Sequence, residues 1–155
     1  MLLDGMNHVA ILTNDTARLH AFYREVFDAN VSHDMTESEG VRLSFVDVGP
    51  HTELNVFEVQ GNSEADRQTP MFGRGRIDHL ALQASSQAAF DAIRQRLIDR
   101  GATDGFVTDF GPILSLFFRD PDGLEAEVCV ANPNARPGVH NPPGTPAPGY
   151  DVVTE

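Results

Sequence analysis

The chain repeats itself once, and that repeat constrains its fold more than any other feature. Asn7-His8-Val9-Ala10-Ile11-Leu12 returns as Asp78-His79-Leu80-Ala81-Leu82-Gln83, the second histidine lying 71 positions after the first. The same offset pairs Leu19 with Phe90, Phe22 with Ile93 and Val26 with Leu97. It pairs Asp15 with Ser86, both helix N-capping types, and Asn30 with Gly101, both tolerant of the left-handed backbone that ends helices. A constant offset through a strand, a cap, three apolar helix positions and a helix end requires that the two copies fold alike.

Each copy reads as a strand, a helix and three shorter strands. The alternation of apolar residues predicts first strands over 7–13 and 76–83. The three- and four-residue apolar spacing predicts helices over about 15–28 and 86–100. Strands are expected near 30–36, 41–48 and 54–60, and near 105–109, 113–119 and 124–130. Gly49-Pro50 and Asp120-Pro121-Asp122-Gly123 mark the turns before the last strand of each copy. The expected fold is α+β, with tandem βαβββ modules over 6–60 and 76–131 joined by a polar linker, 61–75. Residues 132–155 hold six of the ten prolines and read as an extended arm or a disordered end.

Composition narrows the partners. With 155 residues, 41% of them hydrophobic, the chain has one domain's length and enough apolar material for a core. Its net charge of −12 repels phosphate backbones, which argues against nucleic acid and anionic membranes. There is no Trp and there are only two Tyr, so a base-stacking platform is not expected. No apolar run approaches the roughly 18 residues of a membrane span, and the first residues lack a signal-peptide pattern. The single cysteine, Cys129, cannot pair internally and fits a reducing, cytoplasmic setting.

Several polar residues could carry chemistry. A lone histidine on a strand is ordinarily structural, but His8 and His79 occupy equivalent positions of a duplicated module and can act as partners. The last strand of each copy places a glutamate among apolar neighbours, in Val56-Phe57-Glu58-Val59 and in Glu125-Ala126-Glu127-Val128. Glu58 could equally face outward. Glu127 shares a face with Glu125 and Cys129, opposite Ala126, Val128 and Val130, and Glu125 is a possible substitute by parity. Two imidazoles and two carboxylates suit a divalent Fe, Mn, Ni, Co or Zn ion and leave octahedral positions open. Cys129 reads as a small buried residue.

These segments resemble the vicinal oxygen chelate superfamily, which includes glyoxalase I, bleomycin-resistance proteins and extradiol dioxygenases. The resemblance spans about residues 6–130 and rests on Asn7-His8-Val9-Ala10-Ile11, Phe22-Tyr23, Asp78-His79-Leu80-Ala81-Leu82 and Phe118-Arg119-Asp120-Pro121-Asp122-Gly123 leading to Glu127. It implies half-barrel cups that pair around a metal, within one chain or by exchange in a homodimer. It also implies metal-ligand roles for His8, His79 and Glu127, with Glu58 in the place of a fourth ligand of bacterial glyoxalase I. Glu127 and Glu58 would then be the catalytic carboxylates. Arg74, Arg76, Phe45 and Phe117 are candidate substrate-binding residues, although solvated arginines and core phenylalanines explain them equally well.

The expected activity is a metal-dependent, glyoxalase-like lyase or isomerase acting on a small oxygenated molecule. The alternatives are an iron(II) extradiol-type dioxygenase and a non-catalytic drug-binding resistance protein. No Tyr or further His lies between Leu80 and Val130, which weighs against the dioxygenase. Leu124 stands where true glyoxalases often carry an aromatic residue, so neither glutathione nor methylglyoxal is assigned.

Overall fold

Two βαβββ modules are present, each built as the repeat requires. A computed structural model describes residues 2–138 and 140. The elements run β1 (His8–Leu12), α1 (Thr16–Phe27), β2 (Val31–Ser38), β3 (Val41–Asp47), β4 (Glu53–Val59), β5 (Leu80–Gln83), α2 (Gln87–Asp99), β6 (Val107–Asp109), β7 (Ile113–Arg119) and β8 (Glu125–Ala131), with one 3-10 turn at Glu64–Asp66. The strands form two mixed four-stranded sheets, ordered β1-β4-β3-β2 and β5-β8-β7-β6. The chain divides into two units: residues up to Thr69 together with Asp120–Leu124, and Pro70–Arg119 together with Glu125 onward. No helix among the described residues is long and apolar enough to cross a membrane.

In the first unit α1 begins at its expected cap, where the Asp15 side chain accepts the Arg18 N–H at 2.9 Å. It ends at Asp28, in the left-handed region at φ 54°, rather than at Asn30. Leu19, Phe22, Tyr23 and Val26 are buried, as are Val46, Leu54 and Val56 of β3 and β4. His20 also lies on this buried face, with Nε2 2.7 Å from Ser44 Oγ, and burial lowers its pKa. The Asp120–Leu124 turn packs at the start of α1. Asp122 accepts Thr13 Oγ1 at 2.6 Å and pairs with Arg18 at 2.5 Å.

In the second unit Ser86 caps α2 through the Ala89 N–H at 3.1 Å. Phe90 and Leu97 are buried, together with Leu114, Leu116, Phe118, Ala126, Val128 and Val130. Arg94 takes a further buried helix position, and its Nε donates to the Gly105 carbonyl at 2.8 Å. The first part of the proline-rich segment is fixed to the β6–β7 turn. Asn132 Nδ2 donates to Asp109 Oδ1 and the Gly111 carbonyl at 3.1 and 2.8 Å, and the His140 N–H donates to the Asp109 carbonyl at 2.8 Å. The rest of the expected arm lies outside the described residues.

The repeat gains one residue along its length. The helix starts Thr16 and Gln87 keep the offset of 71, whereas the helix ends Phe27 and Asp99 lie 72 apart, and Val41–Asp47 and Glu53–Val59 correspond to Ile113–Arg119 and Glu125–Ala131 at an offset of 72. The strand registers agree. Ala10 aligns with Asn55 and Asn55 with Phe45, as Ala81 aligns with Glu127 and Glu127 with Phe117.

Candidate functional site

The second unit holds the more complete constellation. His79 immediately precedes β5, and Glu127 is the third residue of β8. Side chains alternate across a strand, so Glu127 shares a face with Glu125, Cys129, Ser115 and Phe117, while Ala126, Val128 and Leu116 line the buried opposite face. His79 Nε2 lies 3.1 Å from Glu127 Oε2. The other Glu127 oxygen, Oε1, accepts the Ser115 hydroxyl and, at 3.1 Å, the Cys129 thiol. Phe117 stands edge-on to the imidazole, with ring centroids 5.8 Å apart.

Each histidine is oriented by the residue before it. His79 Nδ1 is 2.7 Å from Asp78 Oδ2, and His8 Nδ1 is 2.8 Å from Asn7 Oδ1. Both partners are acceptors, which places a proton on Nδ1 and would leave Nε2 as the coordinating nitrogen once a metal displaces any proton there. Metal-binding histidines are held in this way, with the remote ring nitrogen bonded to an oxygen. The Asp78 bond, ahead of Glu127, raises the His79 pKa, and His79 in turn lowers that of Asp78. Asn7, Asp78 and Ser115 were not singled out in the sequence, although the Asn7-His8 and Asp78-His79 pairs are the repeat's own signature.

The register separates Glu58 from His8. Parallel pairing aligns His8 with Glu53, so His8, Ala10 and Leu12 share a face with Glu53, Asn55 and Phe57. Glu58 has the opposite parity, that of buried Leu54 and Val56, and reaches the start of α1. Its Oε2 accepts the Thr16 N–H at 2.8 Å, and Arg42 Nη1 lies 3.8 Å away. Hydrogen bonding from Thr16 holds the Glu58 carboxyl below its ordinary range. The expectation of Glu58 beside His8 therefore gives way to a carboxylate at a helix N-terminus, where exposed backbone donors and the helix dipole favour negative charge. The first-module counterpart of Glu127 is Asn55.

The remaining candidates fall into distinct roles. Glu125 shares the Glu127 face, but its carboxylate is occupied by Arg74 Nη2 and Arg119 Nη2, both at 2.8 Å, and by the Met71 N–H at 3.1 Å. Arg74 also donates to the Asp78 and Glu125 carbonyls at 3.0 Å, which ties the linker to β8 just before His79. Arg76 is exposed. Phe45 packs against His33 with ring centroids 5.3 Å apart. Burial pushes the Cys129 thiol up to about 12, so it remains a protonated donor to Glu127. Among the described residues no three His, Cys, Asp or Glu side chains stand together as a ready-made metal site. The His79–Glu127 nitrogen and oxygen pair nonetheless fits a divalent ion, because the far atom of each group is already held in place.

Comparison with known proteins assigns the family. The family model of the glyoxalase/bleomycin resistance protein/dioxygenase superfamily matches residues 5–128. The chain belongs to this superfamily. Similar solved structures include a glyoxylase/bleomycin resistance protein/dioxygenase domain from Frankia sp. EAN1pec, at 21% identity, TM-score 0.69, and coverage of 84% of this chain and 94% of that one. A lactoylglutathione lyase from Agrobacterium tumefaciens matches at 20% identity and TM-score 0.59, covering 84% and 96%. A variant of the fosfomycin resistance protein of Listeria monocytogenes, complexed with Mn(II) and 1S,2S-dihydroxypropylphosphonic acid, matches at 18% identity and TM-score 0.61, covering 82% and 92%. These likenesses support the glyoxalase-like fold. None of the curated protein sequences compared with the chain matches it.

Proposed function

We propose that this superfamily member is a divalent-metal-dependent enzyme that acts on a small molecule with adjacent oxygen atoms, by a glyoxalase-like lyase or isomerase reaction. The observation that carries this reading is the His79–Glu127 pair, with Asp78 on the far imidazole nitrogen and Ser115 and Cys129 on the far carboxylate oxygen. His79, Glu127 and His8 are the proposed protein ligands. The Mn(II) complex of the Listeria fosfomycin resistance protein supports a metal in a related fold. When bound, a divalent ion would supply Lewis-acid stabilisation of negative charge on substrate oxygens.

The chain's own residues supply orientation and proton handling. Asp78 and Asn7 fix the imidazole tautomers. Ser115 and Cys129 anchor Glu127 Oε1, which leaves Oε2 as the oxygen able to take or return a substrate proton. Phe117 gives the His79 side of the face an apolar wall. Arg74 serves as the linker's clamp, and Arg76 remains the exposed cation available to an anionic substrate group. A homodimer is proposed on the family resemblance, and sedimentation equilibrium tests it.

One observation favours a second reading. With Glu58 engaged at α1, the proposed set is two histidines and one carboxylate, the facial arrangement of non-haem iron oxygenases. The deciding experiment is metal analysis of protein purified without chelators, with His79→Ala as control, followed by assays of the metal-loaded wild type. We expect near-stoichiometric metal in the wild type and a large loss in the variant. Turnover of a hemithioacetal without oxygen supports the lyase or isomerase, and oxygen uptake on catechols selects the dioxygenase. Negligible metal in both proteins would leave a drug-binding protein as the surviving reading.

A further inference from the structure

The segment ahead of β5 holds an aromatic residue in a backbone that disfavours it. Phe72 has φ 68°, in the left-handed region, and its ring is 93% exposed. Glycine or asparagine would take that backbone at less cost, and no burial of the ring offsets it. The loop around it is nonetheless firmly held. The Phe72 N–H donates to Asp78 Oδ1, the Met71 N–H to Glu125 Oε2 at 3.1 Å, and the Gly73 N–H to the Pro70 carbonyl at 3.1 Å. Through its other oxygen the same Asp78 carboxylate holds His79. Strained backbone that its surroundings keep in place marks ligand clamps and switch segments.

A cleft of about 480 Å³ lies beside this loop, lined wholly by residues of the second unit. Met71, Phe117 and Phe118 are its apolar walls, and Arg119, Glu125 and Asp104 its polar edge. Phe117 is the ring that stands against His79, and Glu125 shares the Glu127 face, so the cleft adjoins the His79–Glu127 pair. Arg119 is engaged by Glu125 at 2.8 Å, and Asp104, exposed at the rim, adds negative charge. An anionic group entering here meets an arginine already neutralised and an acid. An uncharged ring meets apolar wall and gains from leaving water.

We propose that this cleft takes an uncharged aromatic body attached to the substrate's adjacent oxygens, and that Phe72 closes over it. The inference rests on the metal-dependent reading above and narrows it to a substrate class. Phe72 follows Met71 of the cleft wall, so their Cα atoms are about 3.8 Å apart. Returning φ to negative values re-aims the ring from solvent towards the cleft mouth. Closure then buries the exposed ring against the ligand and relieves the backbone, so both effects favour the liganded loop.

The test is calorimetric titration of the full-length chain, first with Mn(II) and then, once loaded, with three hydroxamates that chelate through the same pair of oxygens. Benzohydroxamate should bind about tenfold or more tighter than acetohydroxamate, because its ring is buried. 4-Carboxybenzohydroxamate should lose most of that gain. Phe72→Gly should fold as the wild type does, since glycine takes this backbone freely. It should weaken benzohydroxamate binding by about fivefold and leave Mn(II) and acetohydroxamate binding unchanged. Phe72→Trp introduces a tryptophan into a chain that has none, so its emission reports the loop alone. That emission should shift to the blue with benzohydroxamate and stay in place with acetohydroxamate. Phe110→Trp, in the β6–β7 turn, should respond to neither. If benzohydroxamate and acetohydroxamate bind equally, or the Phe72→Trp emission does not move, this inference falls, and Mn(II) binding that His79→Ala abolishes leaves the metal reading standing. If 4-carboxybenzohydroxamate binds as tightly as benzohydroxamate, the uncharged class is overturned. If the wild type binds no Mn(II), both readings fall.

Discussion

Asp120 is the residue whose burial has the clearest measurable consequence. Its carboxyl is 6% exposed, and desolvation pushes its pKa up to about 6 even though it accepts the Asp122 and Leu124 N–H groups at 2.9 Å. Between roughly pH 4 and 6 the folded chain holds this proton and the unfolded chain does not. Unfolding then releases a proton, so this group's contribution falls as pH rises through the window and its cost is complete above pH 6. A displacement from 3.8 to about 6 corresponds to about 3 kcal/mol. Asn at this position keeps the acceptor oxygen and removes the charge. Asp120→Asn should match wild type below pH 4 and melt several degrees higher at pH 7.5, as calorimetry across pH 4–8 would show. A melting difference that does not change with pH would refute the assignment. The Asp-Pro-Asp-Gly turn was visible in the sequence, but its placement at the start of α1 was not, because turn chemistry specifies a bend and not what the bend packs against.

At the scale of elements, α1 shows what the sequence could and could not reveal. Its cap and buried stripe were legible because both are local, one a residue type at a fixed place and the other a spacing. Its second anchor, Glu58, comes from β4 and depends on register. The sequence offset of 71 held for the strand and the helix, and the later strands run at 72. One residue reverses every side chain on a strand, which moved Glu58 off the His8 face and hid Asn55. Glu58→Gln keeps an acceptor for the Thr16 N–H but loses the charge at the helix end. It should cost about 0.5–1 kcal/mol in urea unfolding, with the loss shrinking at high salt. The β6–β7 turn supplies a second test. Gly111 has φ +91°, and a Cβ there would collide with the Arg136 carbonyl and lie 2.6 Å from the Gly138 carbonyl. Gly111→Ala should therefore destabilise by about 1–3 kcal/mol through both strain and displacement of residues 136–138. Limited proteolysis should find new cleavage sites in residues 132–138 of that variant, and an unchanged digest would show that the segment is not held there.

For the molecule as a whole, two electrostatic effects oppose each other and can be separated. The chain carries 23 acidic and 11 basic residues, so compaction brings like charges together. Its exposed ion pairs, such as Arg42–Asp34 at 2.7 Å and Arg67–Glu64 at 3.0 Å, offset little of this, since such pairs are worth about 0–1 kcal/mol each. Raising NaCl from about 10 to 150 mM shortens the screening length from roughly 30 to 8 Å. It should raise the melting temperature of the metal-free protein by a few degrees, whereas a fall would mean that attractive pairs dominate. A bound ion acts differently, because it stabilises through a site rather than through screening. At fixed ionic strength, Mn(II) at about 100 times its dissociation constant should add about 2.7 kcal/mol. For a chain of this size that is roughly 5–10 °C. His79→Ala should keep the whole salt response and lose the Mn(II) response, with chelator returning wild type to the variant's curve. Equal Mn(II) stabilisation of both proteins would assign the ion to the general acidic surface and remove His79 from its coordination.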